Sequence, residues 1–122
     1  MTLKLDVDLR EDPRYPVADL QVGVRFADGA AVTAEVADIS LNGALLDFAV
    51  DPAGEPGDGL QLSFSMNDGR SFAASARLVY VRGKRSGVEF LAFDAADFEV
   101  LTELIGELRR ARVARLLAGR NN

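Results

Sequence analysis

Two small groups of polar residues carry types and spacings that suit chemistry. Arg10 and Arg14 stand four positions apart in Leu9-Arg10-Glu11-Asp12-Pro13-Arg14-Tyr15-Pro16. Asp38, Ser40 and Gly43 stand at i, i+2 and i+5 in Ala37-Asp38-Ile39-Ser40-Leu41-Asn42-Gly43-Ala44. A guanidinium is planar and rich in donors, which suits phosphates and the O6/N7 edge of guanine. In an extended chain, residues two apart share a face, so Asp38 and Ser40 are expected to point at one ligand together. Gly43 permits a backbone geometry or a close approach that a side chain forbids. The pairing suggests recognition of a guanine nucleotide without chemistry upon it.

Composition narrows the alternatives. The chain has 122 residues, enough for one domain with a real core. Hydrophobic residues make up 48% and charged residues 27%, an ordinary globular mixture. Cysteine and histidine are both absent. Disulfides, thiolate metal sites, imidazole triads and the usual general base therefore go with them. Carboxylate catalysis is the one enzymatic route left open, and no acidic group has metal-like clustering, so the expectation is no enzyme and no metal. A net charge of −5 argues against a nucleic-acid binder, which normally carries a basic face. No apolar run approaches the roughly 20 residues of a membrane span. The first residues also lack a signal-peptide core. A soluble, cytoplasmic protein with no membrane insertion is expected.

The elements that must hold the two groups read mostly as strands. Leu3, Leu5, Val7 and Leu9 alternate with polar residues, a strand pattern close to a terminus. Asp12 to Pro16 carries two prolines, which remove donors and fix φ, so the arginine pair is expected on a loop without regular hydrogen bonding. Strands are predicted over 20–26, 31–39, 44–48, 60–66, 71–81 and 88–93. The turns between them are Ala27-Asp28-Gly29, the Gly/Pro-rich run 51–59, Asn67-Asp68-Gly69-Arg70 and the basic turn 82–87. In the second strand Val32, Ala34, Val36 and also Ala37 are the expected packing positions. Six or seven short strands without intervening helices suggest a small antiparallel barrel or sandwich.

The last segment differs. From Asp94 or Asp97 to about Ala118, apolar residues recur at helical spacing. Acidic residues crowd its first half and basic ones its second, in the sense that the helix dipole prefers. Val113, Leu116 and Leu117 extend beyond what so small a barrel can cover, which leaves a homodimer or a partner contact open.

These features together resemble the PilZ domain family. The resemblance rests on Arg10-x-x-x-Arg14, on Asp38-x-Ser40-x-x-Gly43, and on Gly87-Val88-Glu89-Phe90, in a β-rich chain ending in a helix. It covers roughly Leu9 to Ile105. The arginine pair alone is expected about once by chance in such a chain, whereas the Asp-x-Ser-x-x-Gly pattern is expected in about one such sequence in twenty, so the second motif carries the weight.

The resemblance implies an all-β fold: a six-stranded antiparallel β-barrel with a C-terminal α-helix. The division it implies is a single domain over 1–122, with an arm and arginine loop over 1–19, a barrel over 20–93 and a helix over 94–118. It also implies a bacterial receptor for the second messenger cyclic di-GMP, with no other cofactor. By that resemblance Arg10 and Arg14 would bind phosphates and Hoogsteen edges. Asp38 and Ser40 would bind guanine polar edges, and Gly43 would leave room for the ligand. Ligand would fold the arginine loop over the barrel face and present a new surface to an unidentified downstream protein, with outputs in motility, attachment and biofilm or exopolysaccharide control. The alternative is a PilZ-like protein–protein interaction module that binds no nucleotide. Glu11 and Asp12 depart from the more basic loops common in the family, and each is placed to pair with the arginines. Leu9 stands where another arginine would offer a second stacking group, which favours one ligand molecule per site.

Overall fold

The computed structural model describes residues 2–4, 13–52 and 54–120. Eight strands precede one helix: β1 (Thr2–Lys4), β2 (Tyr15–Pro16), β3 (Leu20–Phe26), β4 (Ala31–Ile39), β5 (Gly43–Phe48), β6 (Gly59–Met66), β7 (Ser71–Arg82), β8 (Arg85–Asp94) and α1 (Ala95–Arg120). All pairings are antiparallel. Strands β3 to β8 close on themselves in the order β8-β5-β4-β3-β6-β7, with β7 returning to β8. This is a six-stranded antiparallel barrel with one C-terminal helix. Closure leaves no exposed edge among the six, which is how a small all-β chain satisfies its backbone.

Alternation builds the interior. Leu20, Val22 and Val24 of β3 are buried, as are Leu60, Leu62 and Phe64 of β6. Phe64 stacks on Phe72 with ring centroids 4.4 Å apart, and Phe90 meets Phe64 and Phe93 edge-on. The helix closes one opening of the barrel with Leu101 and Leu104, both buried, and with Phe98 against Phe93. An ionic clamp adds to this packing. Arg70, in the β6–β7 turn, donates to both oxygens of Glu107 at 2.7 and 2.9 Å and also pairs with Asp68.

Two expectations change, and a third lies largely outside the described residues. Tyr15 and Pro16 are not free of regular pairing: they lie against Ile39 and Asp38 of β4. Proline is tolerated there because β2 pairs with β4 alone, so the missing N–H faces no second strand. Val32 is not a core position. It is 37% exposed, because the first three residues of β4 run beyond the covered interior. The strand expected over 3–9 is described only as Thr2–Lys4, and Leu5, Val7 and Leu9 lie outside the described residues.

Candidate functional site

The Asp-x-Ser-x-x-Gly segment spans the end of β4, the turn and the start of β5. Simple alternation from Ala34 and Val36, both buried, would send Asp38 inward as well. A β-bulge prevents this. Val36 faces Leu46 and Asp38 faces Leu45, so Ala37 is the extra residue and the alternation resets. Asp38 then points outward and Ile39 takes the interior position.

A second bulge does the same on the other side. In the pairing of β7 with β8, Leu78 faces Val88 and Tyr80 faces Gly87, which makes Val79 the extra residue. Asp38, Leu45, Gly87 and Tyr80 consequently form one row across four strands. The Tyr80 ring covers Gly87, where an added Cβ would collide with it. Arg82 places its guanidinium 5.1 Å from the centre of that ring. Neither Tyr80 nor Leu45 was marked by the sequence. The outward position of Tyr80 depends on the bulge, although an aromatic beside a basic turn was a signal that could have been used.

Next to this row lies the arginine segment. Arg14 Nη1 donates to Asp38 Oδ1 at 3.0 Å, with both side chains in contact with solvent. The pairing of β2 with β4 puts them together, since Pro16 faces Asp38 and Tyr15 faces Ile39. Tyr15 is buried and anchors the segment, and Arg112 of the helix lies over its ring at 5.7 Å. Arg10, Glu11 and Asp12 lie outside the described residues.

Ser40 occupies a different place from the one alternation predicts. It is fully buried, and its Oγ donates to Asn42 Oδ1 at 2.6 Å and accepts from the Asn42 N–H at 3.2 Å. Its own N–H donates to the Gly43 carbonyl at 2.9 Å. The hydroxyl therefore builds the turn and shares no face with Asp38. Asn42, unmarked by sequence reasoning, also accepts from the Phe90 N–H at 2.8 Å and ties this turn to β8. Gly43 is needed for that contact, because a Cβ there would fall on the Val88 carbonyl oxygen.

Further along the outer face, Arg85 pairs with both oxygens of Asp47 at 2.7 and 3.1 Å. The hydrogen bond from Arg85 is the main reason the Asp47 carboxyl sits below its ordinary value. The site is thus an open, charged surface and not a cavity. A hollow of about 670 Å³ lies at the far end of the β4–β5 hairpin, lined by Phe26, Val32, Phe48 and Val50, and includes none of Arg14, Asp38, Ser40 and Gly43. Among the described residues no acidic cluster could hold a metal ion, and no helix is long and apolar enough to cross a membrane.

The barrel resembles several solved structures. The PilZ domain of CeSA from a cellulose-synthesizing bacterium matches with a TM-score of 0.64 at 20% identity, over 80% of this chain and 98% of that one. YcgR of Escherichia coli, solved in complex with c-di-GMP, matches with a TM-score of 0.72 at 21% identity, over 95% of this chain and 52% of that one. The Bacillus subtilis inhibitor of motility MotI/DgrA matches with a TM-score of 0.70 at 16% identity, over 88% of this chain and 53% of that one. The chain thus spans about half the length of the last two. No curated protein sequence matches it. The sequence pattern of the PilZ domain matches residues 8–107, most of the chain, and by that match this protein belongs to the PilZ domain family.

Proposed function

We propose that this chain is a non-catalytic receptor for cyclic di-GMP, acting in the cytoplasm, that binds at Arg10, Arg14 and Asp38 on the outer barrel face. The observation that supports this most directly is the contact between Arg14 and Asp38, which joins the two motifs in one place. PilZ is a family of c-di-GMP receptors, generally non-catalytic binding modules.

The chemistry of the exchange is favourable. A ligand with two phosphates and two guanines needs fixed cations and an acceptor for guanine N1–H and N2–H₂. Arg14 would leave Asp38 for a phosphate or a Hoogsteen edge, and the released carboxylate would accept from guanine. An exposed ion pair contributes at most about 1 kcal/mol, whereas a bidentate arginine–guanine contact gives roughly 1–3 kcal/mol, so the exchange favours ligand. Leu45 and Tyr80, in the same row, offer an apolar floor for a purine face, with Arg82 beside it. Ser40 and Gly43 would act through the turn they build. A change in the segment leading into Tyr15 would then be read by a downstream protein in motility, attachment or exopolysaccharide control.

Calorimetric titration of the 122-residue chain with cyclic di-GMP is the test. Binding by the wild type and its loss in Arg14→Ala is the expected result. Absence of heat from the wild type at tens of micromolar protein would remove this reading and leave the nucleotide-free interaction module.

A further inference from the structure

The barrel has two ends, and α1 closes one of them. Residues 54–58 cover only part of the other. They are tied to β7 by the Gly57 N–H, which donates to the Leu78 carbonyl at 2.7 Å, and by the Leu78 N–H, which donates to the Asp58 carbonyl at 2.9 Å. Away from that contact the mouth stays open. Val32 shares the inward face of β4 with Ala34 and Val36, both buried, yet is itself 37% exposed. Val50 is 67% exposed. Both line the hollow of about 670 Å³, together with Phe26 and Phe48. Its size is that of a ligand or peptide pocket, and its walls are the continuation of the barrel's own apolar rows.

A strand edge borders the same hollow. Ala31, Val32 and Thr33 pair with Arg25, Val24 and Gly23 of β3. On their other side β5 has already ended at Phe48, opposite Ala34, so these three residues have no strand partner there among the described residues. The Phe26 N–H donates to the Ala30 carbonyl, so Ala30 and Val32 turn their backbone groups to β3, whereas Ala31 and Thr33 turn theirs to the open side. An otherwise closed barrel thus keeps one short edge, the kind of template to which an extended peptide adds as a strand.

Charge narrows what that peptide must be. Asp28, Asp51 and Asp58 line the hollow, and no lysine or arginine does. Asp28 accepts from the Ala30 N–H and Asp58 from the Glu55 N–H, both at 2.9 Å, so two of the three carboxylates are fixed at the rim through one oxygen each. None of the three is in an ion pair with a described residue, in contrast to Asp38 with Arg14 and Asp47 with Arg85. The neighbouring cations are directed elsewhere. Arg25 lies in a separate hollow with Gln61 and Ser63, and Lys84 meets Phe48 only through its carbonyl and is not a lining residue. The rim is therefore negative and uncompensated, which favours a cationic partner.

We propose that this open mouth docks an extended segment of a partner protein, one with a bulky apolar residue flanked by lysine or arginine. The segment adds to the free edge of β4 at Ala31 and Thr33. Its apolar side chain enters the hollow against Phe26, Val32 and Phe48, and its cation meets the aspartates of the rim. The edge has room for about three residues, so pocket and charge supply the specificity. Val32 lies six residues along β4 from Asp38, roughly 20 Å at the rise of a strand, so the contact does not depend on the nucleotide.

Selection from a displayed library of short peptides, with the 122-residue chain immobilised, tests it. Enriched sequences are expected to carry a bulky apolar residue with lysine or arginine within two positions. A synthetic copy of the leading peptide, followed by fluorescence anisotropy, should bind more weakly at high salt. Val50→Glu, at a position the fold leaves exposed, should weaken it about tenfold or more with the thermal midpoint unchanged, and Asp51→Asn about two- to fivefold. Methylating alternate backbone amides of the peptide should abolish binding in one register and spare it in the other, which separates strand addition from side-chain docking alone. No enrichment, enrichment of acidic or wholly polar peptides, equal binding to Val50→Glu, or indifference to methylation in both registers would each overturn the inference. Two further results would assign the hollow to another occupant and overturn it equally. One is dodecylamine shifting the amide resonances of Val32 and Val50 when the selected peptide does not. The other is self-association of the wild type that Val50→Glu abolishes.

Discussion

Arg14 and Asp38, from motifs 24 positions apart, neutralise one another across 3.0 Å at the junction of β2 and β4. Each holds the other in the place where a ligand would meet both. On the proposed function, ligand binding would be a replacement of partners, which makes the pair the natural target for mutation. Arg14→Ala should weaken cyclic di-GMP binding by roughly 1–3 kcal/mol, about five- to more than a hundredfold. Because phosphate contacts are screened, raising salt should weaken the wild type more than the variant. Equal salt dependence in calorimetry would count against a phosphate role for Arg14.

Ser40→Ala addresses whether the hydroxyl acts on ligand or on the turn. With Oγ buried between Asn42 and Gly43, its loss should lower stability by about 1 kcal/mol in the absence of any ligand. A thermal midpoint unchanged from the wild type would contradict the turn-building role.

Gly43→Ala should be more damaging. The new methyl would strike the Val88 carbonyl oxygen, part of a strand backbone that cannot turn aside as a side chain can. A loss of about 1–3 kcal/mol or more follows from overpacking at such a point. Urea unfolding measures it, and a loss below half a kilocalorie would show that β5 and β8 separate easily here.

The helix clamp has a pH signature. Hydrogen bonds from Arg70 hold the Glu107 carboxyl below its ordinary value of 4.5. A depressed carboxylate contributes stability that is fully present above the ordinary value and is lost as pH falls through the depressed one. Glu107→Gln should therefore lower the thermal midpoint slightly at neutral pH, and the gap from the wild type should close on acidification. A gap that widens in acid would assign the effect to something other than this ion pair. The contribution is small, since the pair is exposed to solvent.

Core truncation sets the scale for these effects. Leu101→Ala, in the buried first half of α1, should cost about 2–5 kcal/mol by urea unfolding. If that loss falls within the range of the surface variants, α1 is not part of the barrel's cooperative unit.

Much of this protein was determined by sequence alone. Hydrophobic alternation set the strands at 20–26 and 31–39, which appear with those bounds, and helical spacing set α1 to within a turn. These are local patterns, and local geometry decides them. The outward direction of Asp38, the partnership of Leu45 and Tyr80 in its row, and the burial of Ser40 were decided only by tertiary structure. The first two depend on a residue inserted in one strand relative to its neighbour, Ala37 against β5 and Val79 against β8, and the third on the turn that Ser40 builds with Asn42 and Gly43. A bulge is a mismatch between two chain segments, so neither segment records it by itself. Its consequence is large because one inserted residue exchanges the two faces of all that follows.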